Sequence, residues 1–303
     1  MRNLNDFQQK MADLLPELEL RNNESLAKHT SFRIGGPAEV MTFPKSAAEL
    51  ADVLKASALL DCKTAILGAG TNILAPDEGI SGLVICLKDC LGGMEQLDDT
   101  HIRVAAGVTM TRAAVFAANT GLSGLEFAHG IPGTVGGGVY MNAGAYGSEI
   151  CQVCTQVEVM DMAGNLRVYT GEEMNFSYRH SRLEDEGGVV VSAVFELKPM
   201  PTDKIRALMQ DLMARRSASQ PLDLPSAGSA FKRPVGGYAA ALIDNAGLKG
   251  HRIGNAAVSE KHAGFVVNLG GATAKDVKNL LNDVSDRVFR ESGIRLEPEV
   301  RIW

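Results

Sequence analysis

Residues 130–138 read GIPGTVGGG, and nine of the 27 positions from Gly121 to Gly147 are glycine. Glycine inside a helix or strand costs about 0.5–1 kcal/mol relative to alanine. A cluster this dense therefore belongs to tight loops, to backbone that meets a ligand closely, or to a flexible linker. What surrounds it decides among the three.

The surroundings are regular. AEVMTF (38–43), TAIL (64–67), LVICL (83–87) and HIRVAA (101–106) read as strands, with a helix from about Thr109 to Asn119. Ser46-Ala-Ala-Glu49 is a capping-box pattern, in which serine and glutamate each satisfy the other's free backbone donor at a helix start. After the glycines come the strands VEVMD (157–161) and VVVSAVFEL (189–197), then a boundary at PMPTD (199–203). A helix over 203–216 places Ile205, Leu208, Met209, Leu212 and Met213 on one face, which predicts core. A helix near 238–246 follows, then strands near 252–258 and 263–269. A last helix opens at Thr273–Asp276 and turns Val277, Leu280, Leu281, Val284 and Val288 inward. No repeat and no low-complexity segment occurs, so the glycines are not a linker.

Composition narrows the function. Of 303 residues, 45% are hydrophobic and 22% charged, as in a soluble globular protein, and the net charge of −6 gives no pull toward nucleic acid. No stretch approaches the roughly 18 apolar residues of a membrane helix, and the N-terminus lacks a secretory h-region. A cytoplasmic protein without membrane insertion is expected. The five cysteines, at 62, 86, 90, 151 and 154, read as reduced thiols. Cys151 and Cys154 form a lone CxxC that runs into a strand, and buried thiols are the simpler reading. No metal is expected.

The glycine loops fit neither standard phosphate motif. Gly68-Ala-Gly70 supplies two glycines of a dinucleotide fingerprint, but Ile73 stands at the sixth position, and no loop carries the GK[ST] of a P-loop. Two such loops can still wrap a diphosphate through nests of backbone N–H groups, with Thr71, Asn72 and Thr134 adding side-chain donors. Two structural turns explain the same residues.

The specific signal is a set of motifs in order: LGAGTN (67–72), GLEFAHGIPGTVGGGVYMNAGAYG (124–147), YRHS (178–181), GSAFKRP (228–234), GLKGHRIGNAAVSEKH (247–262) and LEPEV (296–300). Together they resemble the UDP-N-acetylenolpyruvoylglucosamine reductase family over roughly residues 20–301. SEKH and the absence of a long insertion after YRHS match its shorter subclass.

The resemblance implies an α+β protein with an FAD-binding domain of the vanillyl-alcohol-oxidase (PCMH) type, made of two subdomains, and a C-terminal α+β substrate-binding domain. The expected division is 1–90 with 297–303, then 91–201, then 202–296. The implied activity is NADPH-dependent, FAD-mediated reduction of UDP-N-acetylglucosamine enolpyruvate to UDP-N-acetylmuramate for peptidoglycan synthesis. The alternative is another FAD-dependent oxidase or dehydrogenase of the same fold. The family's cofactor positions map onto Gly68, Ala69, Gly70, Thr71, Asn72 and Ile73, and onto Ile131, Pro132, Gly133, Thr134, Gly136, Gly137 and Asn142. GAGTN contains no histidine to tether FAD, so the cofactor is expected to be noncovalent, and His129 beside the second loop is read as structural.

By motif position, Ser229 corresponds to the proton donor, Arg179 to the arginine that holds the substrate carboxylate, and Glu299 to the active-site glutamate. Glu297 lies two residues from Glu299, and spacing alone cannot separate them, because in a strand both face the same way. Arg233, Lys249, His262 and Arg301 correspond to substrate contacts, although longer relatives carry asparagine in place of Arg233. The stretch 226–262 has a local net charge of +3, which suits a substrate diphosphate, as it would suit a solvated basic face. NADPH and the UDP-sugar would use overlapping space in a ping-pong cycle.

Overall fold

A computed structural model describes residues 4–303, with side chains described from residue 7. The chain divides into two compact units. Among the described residues, unit 1 comprises residues 4–22, 39–69 and 81–214, and unit 2 comprises residues 23–38, 70–80 and 215–303.

Unit 1 is built on two sheets. One has five antiparallel strands in the order Leu166–Thr170, Cys154–Met160, Val189–Glu196, His101–Ala105, Met94–Gln96. Val189–Glu196, at its centre, buries every residue except the last, which explains its unbroken apolar sequence. The other sheet runs Leu20–Ser25, Pro37–Thr42, Ile80–Cys86, Thr64–Leu67, the last two parallel. Its first strand, LRNNES, is too polar and too exposed to be read as a strand from its residues. Helices Leu4–Leu14, Ala47–Leu59 and Met110–Asn119 contribute to one continuous apolar core.

Two sequence expectations need correction. Ser46 Oγ does accept the Glu49 N–H at 3.1 Å, but the Glu49 carboxylate takes the N–H of Lys45, not that of Ser46. The helix predicted at 203–216 spans Thr202–Ser219. Ile205 and Met209 are buried, whereas Leu208 and Met213 stay 43% and 37% exposed, so its inward stripe is narrower than the five-residue pattern implied.

Unit 2 has its own core. An antiparallel sheet in the order Ser226–Ser229, Phe265–Asn268, Ala256–Val258, Arg252–Ile253 packs with helices Ala239–Asn245 and Ala274–Ser292. The long helix buries Val277, Leu280, Leu281, Val284 and Val288, and Thr273 and Asp276 form the full reciprocal box at its start. Asp77 adds to that start by accepting the N–H groups of Ala274 and Lys275. Arg301–Ile302 lies parallel to Ile73–Leu74, fixing the C-terminal segment beside the end of the first glycine loop.

Candidate active site

In unit 1 the two glycine loops meet at one atom. A Cβ on Gly68 would stand 2.7 Å from Thr134 Oγ1, so only glycine lets the chain pass there. Thr134 is 2% exposed and caps the helix Val135–Tyr140, its Oγ1 accepting the Gly137 N–H at 3.3 Å. The backbone N–H groups of Gly68, Ala69, Gly133 and Thr134 make no hydrogen bond among the described residues. Buried backbone donors are rarely left so, and an acceptor on a bound group would satisfy the enclosed Thr134 N–H. Ile131 and Pro132 flank these donors, and Gly136 packs against Ala106. The set fits a diphosphate or the polar edge of an isoalloxazine, both rich in acceptors.

Asn142 is used differently. It is 1% exposed, donates Nδ2 to Glu149 at 2.8 Å and to the Ser177 carbonyl at 3.0 Å, and accepts the Cys151 N–H at 2.9 Å. Its amide is occupied in holding the loops around it. Arg179 is half-buried, with its guanidinium 5.1 Å from the Tyr178 ring.

In unit 2 three motif fragments far apart in sequence come together through backbone bonds. Glu299 N–H donates to the Ala230 carbonyl at 2.9 Å, directly after Ser229. Asn72 Nδ2 donates to the Glu299 carbonyl at 3.3 Å, and Arg301 N–H to the Asn72 carbonyl at 2.9 Å. Ser31, which sequence reasoning missed, ties Gly70 to Ser226. Its Oγ lies 2.6 Å from the Ser226 carbonyl, and its N–H donates to the Gly70 carbonyl at 3.1 Å. Gly70 has φ +60°, and a Cβ there would run into the His29 carbonyl, so glycine is required. Thr71 and Ile73 complete this loop as half-buried residues.

The two glutamates differ in their surroundings. Glu297 is solvent-exposed and 3.4 Å from Lys232 Nζ, a surface pair fixed by the Lys232 N–H to Glu297 carbonyl bond. Glu299 is half-buried and Ser229 is exposed. Ser229 pairs with Phe265, whose ring meets the His262 imidazole edge-on at 5.1 Å. Burial, with a smaller contribution from the Lys249 charge, holds His262 below the usual histidine range, against an opposing backbone hydrogen bond. Its Nδ1 accepts the Gly264 N–H at 3.1 Å, leaving Nε2 for the proton of the neutral ring. Lys249 is exposed and 2.7 Å from Asp244. Arg233 lies on an exposed loop, with its guanidinium 4.1 Å from the Tyr238 ring centroid.

The CxxC pair carries no sign of redox chemistry. Burial pushes the Cys154 thiol up to about 12 and also raises Cys151, whereas reactive cysteines are displaced downward.

A family model described as the FAD binding domain matches residues 38–170, and one described as the C-terminal domain of UDP-N-acetylenolpyruvoylglucosamine reductase matches residues 220–303. A UDP-N-acetylenolpyruvoylglucosamine reductase of Agathobacter rectalis is 44% identical, covering 98% of both chains. The chain belongs to the UDP-N-acetylenolpyruvoylglucosamine reductase family. A second reductase so named, from Latilactobacillus sakei, is 45% identical over 94% of this chain and 93% of its own. The crystal structure of the Thermus caldophilus reductase superposes with a TM-score of 0.79 at 37% identity, covering 95% of this chain and 99% of that one. The fold is therefore a PCMH-type FAD-binding domain joined to the family's C-terminal domain, and the protein is an FAD-dependent oxidoreductase. Among the described residues, no helix is long and apolar enough to cross a membrane.

Proposed function

We propose that the protein reduces the enolpyruvyl ether of UDP-N-acetylglucosamine enolpyruvate to UDP-N-acetylmuramate in the cytoplasm, with NADPH as electron donor. The observation that supports this reading is the 2.9 Å bond from Glu299 N–H to the Ala230 carbonyl, which joins the segment carrying Glu299 to the segment carrying Ser229. An oxidase of alcohols or aldehydes has no need of those two residues together.

The free backbone donors of Gly68, Ala69, Gly133 and Thr134 would hold FAD without a covalent bond, and the flavin would supply the hydride chemistry that links NADPH to substrate C3. The protein's own residues manage the charge and the proton. Hydride addition turns the C3 methylene into a methyl group and leaves an electron pair at C2, delocalised into the carboxylate. Arg179 answers that charge, since a guanidinium offers two parallel donors to a carboxylate and stays protonated. Ser229 gives its hydroxyl proton to C2, completing addition of one hydride and one proton across the double bond, and regains a proton from solvent, to which it is exposed. Glu299 stabilises the enolate by hydrogen bonding or as an acid. His262, Lys249, Arg233 and Arg301 are assigned to the UDP-sugar, where the lysine and arginines match the diphosphate in charge. The division into residues 1–90 with 297–303, 91–201 and 202–296 belongs to the same reading.

The direct test is product analysis. Purified protein with NADPH and UDP-N-acetylglucosamine enolpyruvate is expected to yield a product heavier by two hydrogens, with one NADPH consumed per product. NADPH consumption without that product would sink the proposal.

A further inference from the structure

Arginine is a poor residue for the second central position of a two-residue turn. Ser177 and His180 exchange both main-chain hydrogen bonds, at 3.1 and 3.2 Å, leaving Tyr178 and Arg179 as the whole loop. Arg179 takes φ +57°, the left-handed region that a turn of this kind normally gives to glycine. A bulky side chain kept in that conformation points to a purpose for the side chain, and to a frame that holds the turn.

The frame is visible. On one side of the turn, fully buried Ser181 donates Oγ to the Tyr140 carbonyl at 2.8 Å, and Arg182 N–H donates to the Met174 carbonyl at 2.8 Å. On the other, the Ser177 carbonyl accepts one proton of Asn142 Nδ2. The second proton of that nitrogen goes to Glu149 Oε2 at 2.8 Å, and Asn142 Oδ1 accepts the Cys151 N–H. An amide can sit either way round in its site. Here a carboxylate, which only accepts, and a backbone N–H, which only donates, leave one orientation. Glu149 is itself held by a reciprocal capping box with Gln152.

We propose that Glu149, acting through the Asn142 amide, is a positioning residue for Arg179. Its carboxylate takes one proton of Asn142 Nδ2 and so fixes the position of the amide whose other proton holds the Ser177 carbonyl, and with it the turn that aims the guanidinium. Without it the amide keeps its orientation through Ser177 and the Cys151 N–H but loses its third tether, and the turn's anchor loosens. The inference rests on the reading of Arg179 as the substrate-carboxylate anchor. It gives Asn142, by motif a cofactor position, a different task.

The test compares Glu149→Ala and Glu149→Gln in the FAD-loaded enzyme, each alone and with Arg179→Ala. Glu149→Ala is expected to raise KM for UDP-N-acetylglucosamine enolpyruvate and to lower kcat/KM about 10- to 100-fold, the scale of a misplacement of about 1 Å. Flavin reduction by NADPH should stay at its normal rate, and amide hydrogen exchange at Ser177 and His180 should quicken. Glu149→Gln keeps an acceptor oxygen and should restore both readouts to within about threefold. If Glu149→Ala fails to fold, Glu149→Asp, which shortens the reach by one methylene, takes its place. With Arg179→Ala the Glu149 effect on kcat/KM should vanish, because coupled residues are not additive. Persistence of the full effect there, or an equal slowing of flavin reduction, would overturn the proposal. So would unchanged exchange at the turn. Unchanged kcat/KM in Arg179→Ala alone would instead refute the anchor reading, leaving the exchange rates to report on the frame.

Discussion

Gly68→Ala tests whether the two glycine loops are one construction. The new Cβ would sit 2.7 Å from Thr134 Oγ1, well inside the ~3.5–4.0 Å at which neighbouring carbon atoms attract. Thr134 is enclosed, so its hydroxyl can escape only by rotating away from the Gly137 N–H that it caps. Losing an N-cap costs about 0.5–2 kcal/mol, and an imperfect rotamer adds about 0.5–1.5 kcal/mol. A loss of about 1–3 kcal/mol is expected. Thr134→Ala alone should lose only the cap, about 1 kcal/mol. In the double variant the added methyl meets no oxygen, and Gly68 is not among the glycines with positive φ. Gly68→Ala then becomes neutral, or stabilising by up to about 1 kcal/mol through the unfolded chain. The assay is urea denaturation followed by far-ultraviolet circular dichroism, because the single tryptophan, Trp303, lies in unit 2. FAD titration of the same proteins should show weakened binding in both single variants. Additivity of the two substitutions within about 0.5 kcal/mol would refute the reasoning, since groups in contact are expected to couple.

Other outcomes follow from unit 2. Ser229→Ala should leave flavin reduction by NADPH intact and slow reoxidation by substrate about 10²- to 10⁴-fold; equal rates in both half-reactions would remove Ser229 as proton donor. Glu299→Gln should lower turnover, whereas Glu297→Gln should change neither turnover nor stability measurably, as its Lys232 pair is exposed. His262, depressed mainly by burial, is protonated less readily in the folded chain than in the unfolded one. The unfolded chain therefore binds more protons below about pH 6.5. This contribution to stability is full above that pH, declines as pH falls toward the folded value, and is absent below it. His262→Gln should flatten that decline, and a proton NMR titration should show the His262 midpoint rising in Lys249→Ala; a midpoint at or above the ordinary value in the parent would contradict the assignment.

What the sequence could reveal was local. Thr273 and Asp276 announce a capping box because both partners lie in one turn, and the structure contains both halves of it. Ser46 and Glu49 have the same spacing, yet the carboxylate chose Lys45, a choice between adjacent backbone donors that residue type does not encode. The stripe on 203–216 overstated burial because periodicity marks a face but not how much of it is covered. The strand Leu20–Ser25 was hidden by its polar residues. At the site, glycine density pointed to the loops, while the joining of Asn72, Ala230 and Glu299 was invisible. These contacts run mostly through the main chain and join positions 69 and 227 residues apart, so no side-chain pattern records them. The different surroundings of Glu297 and Glu299, one exposed and paired with Lys232 and the other half-buried, were likewise out of reach of spacing alone. Asn142 was legible as part of a motif, but its task depends on Glu149 and Ser177, contacts only the fold supplies.

The central claim is that this chain passes electrons from NADPH to an enolpyruvyl UDP-sugar through bound FAD. The most direct measurement follows the flavin absorbance anaerobically, first on adding NADPH and then on adding UDP-N-acetylglucosamine enolpyruvate. The account predicts bleaching by NADPH and rapid return of the oxidised spectrum with substrate, without oxygen. Bleaching that reverses only on admitting air, or a protein that binds no FAD, would contradict it.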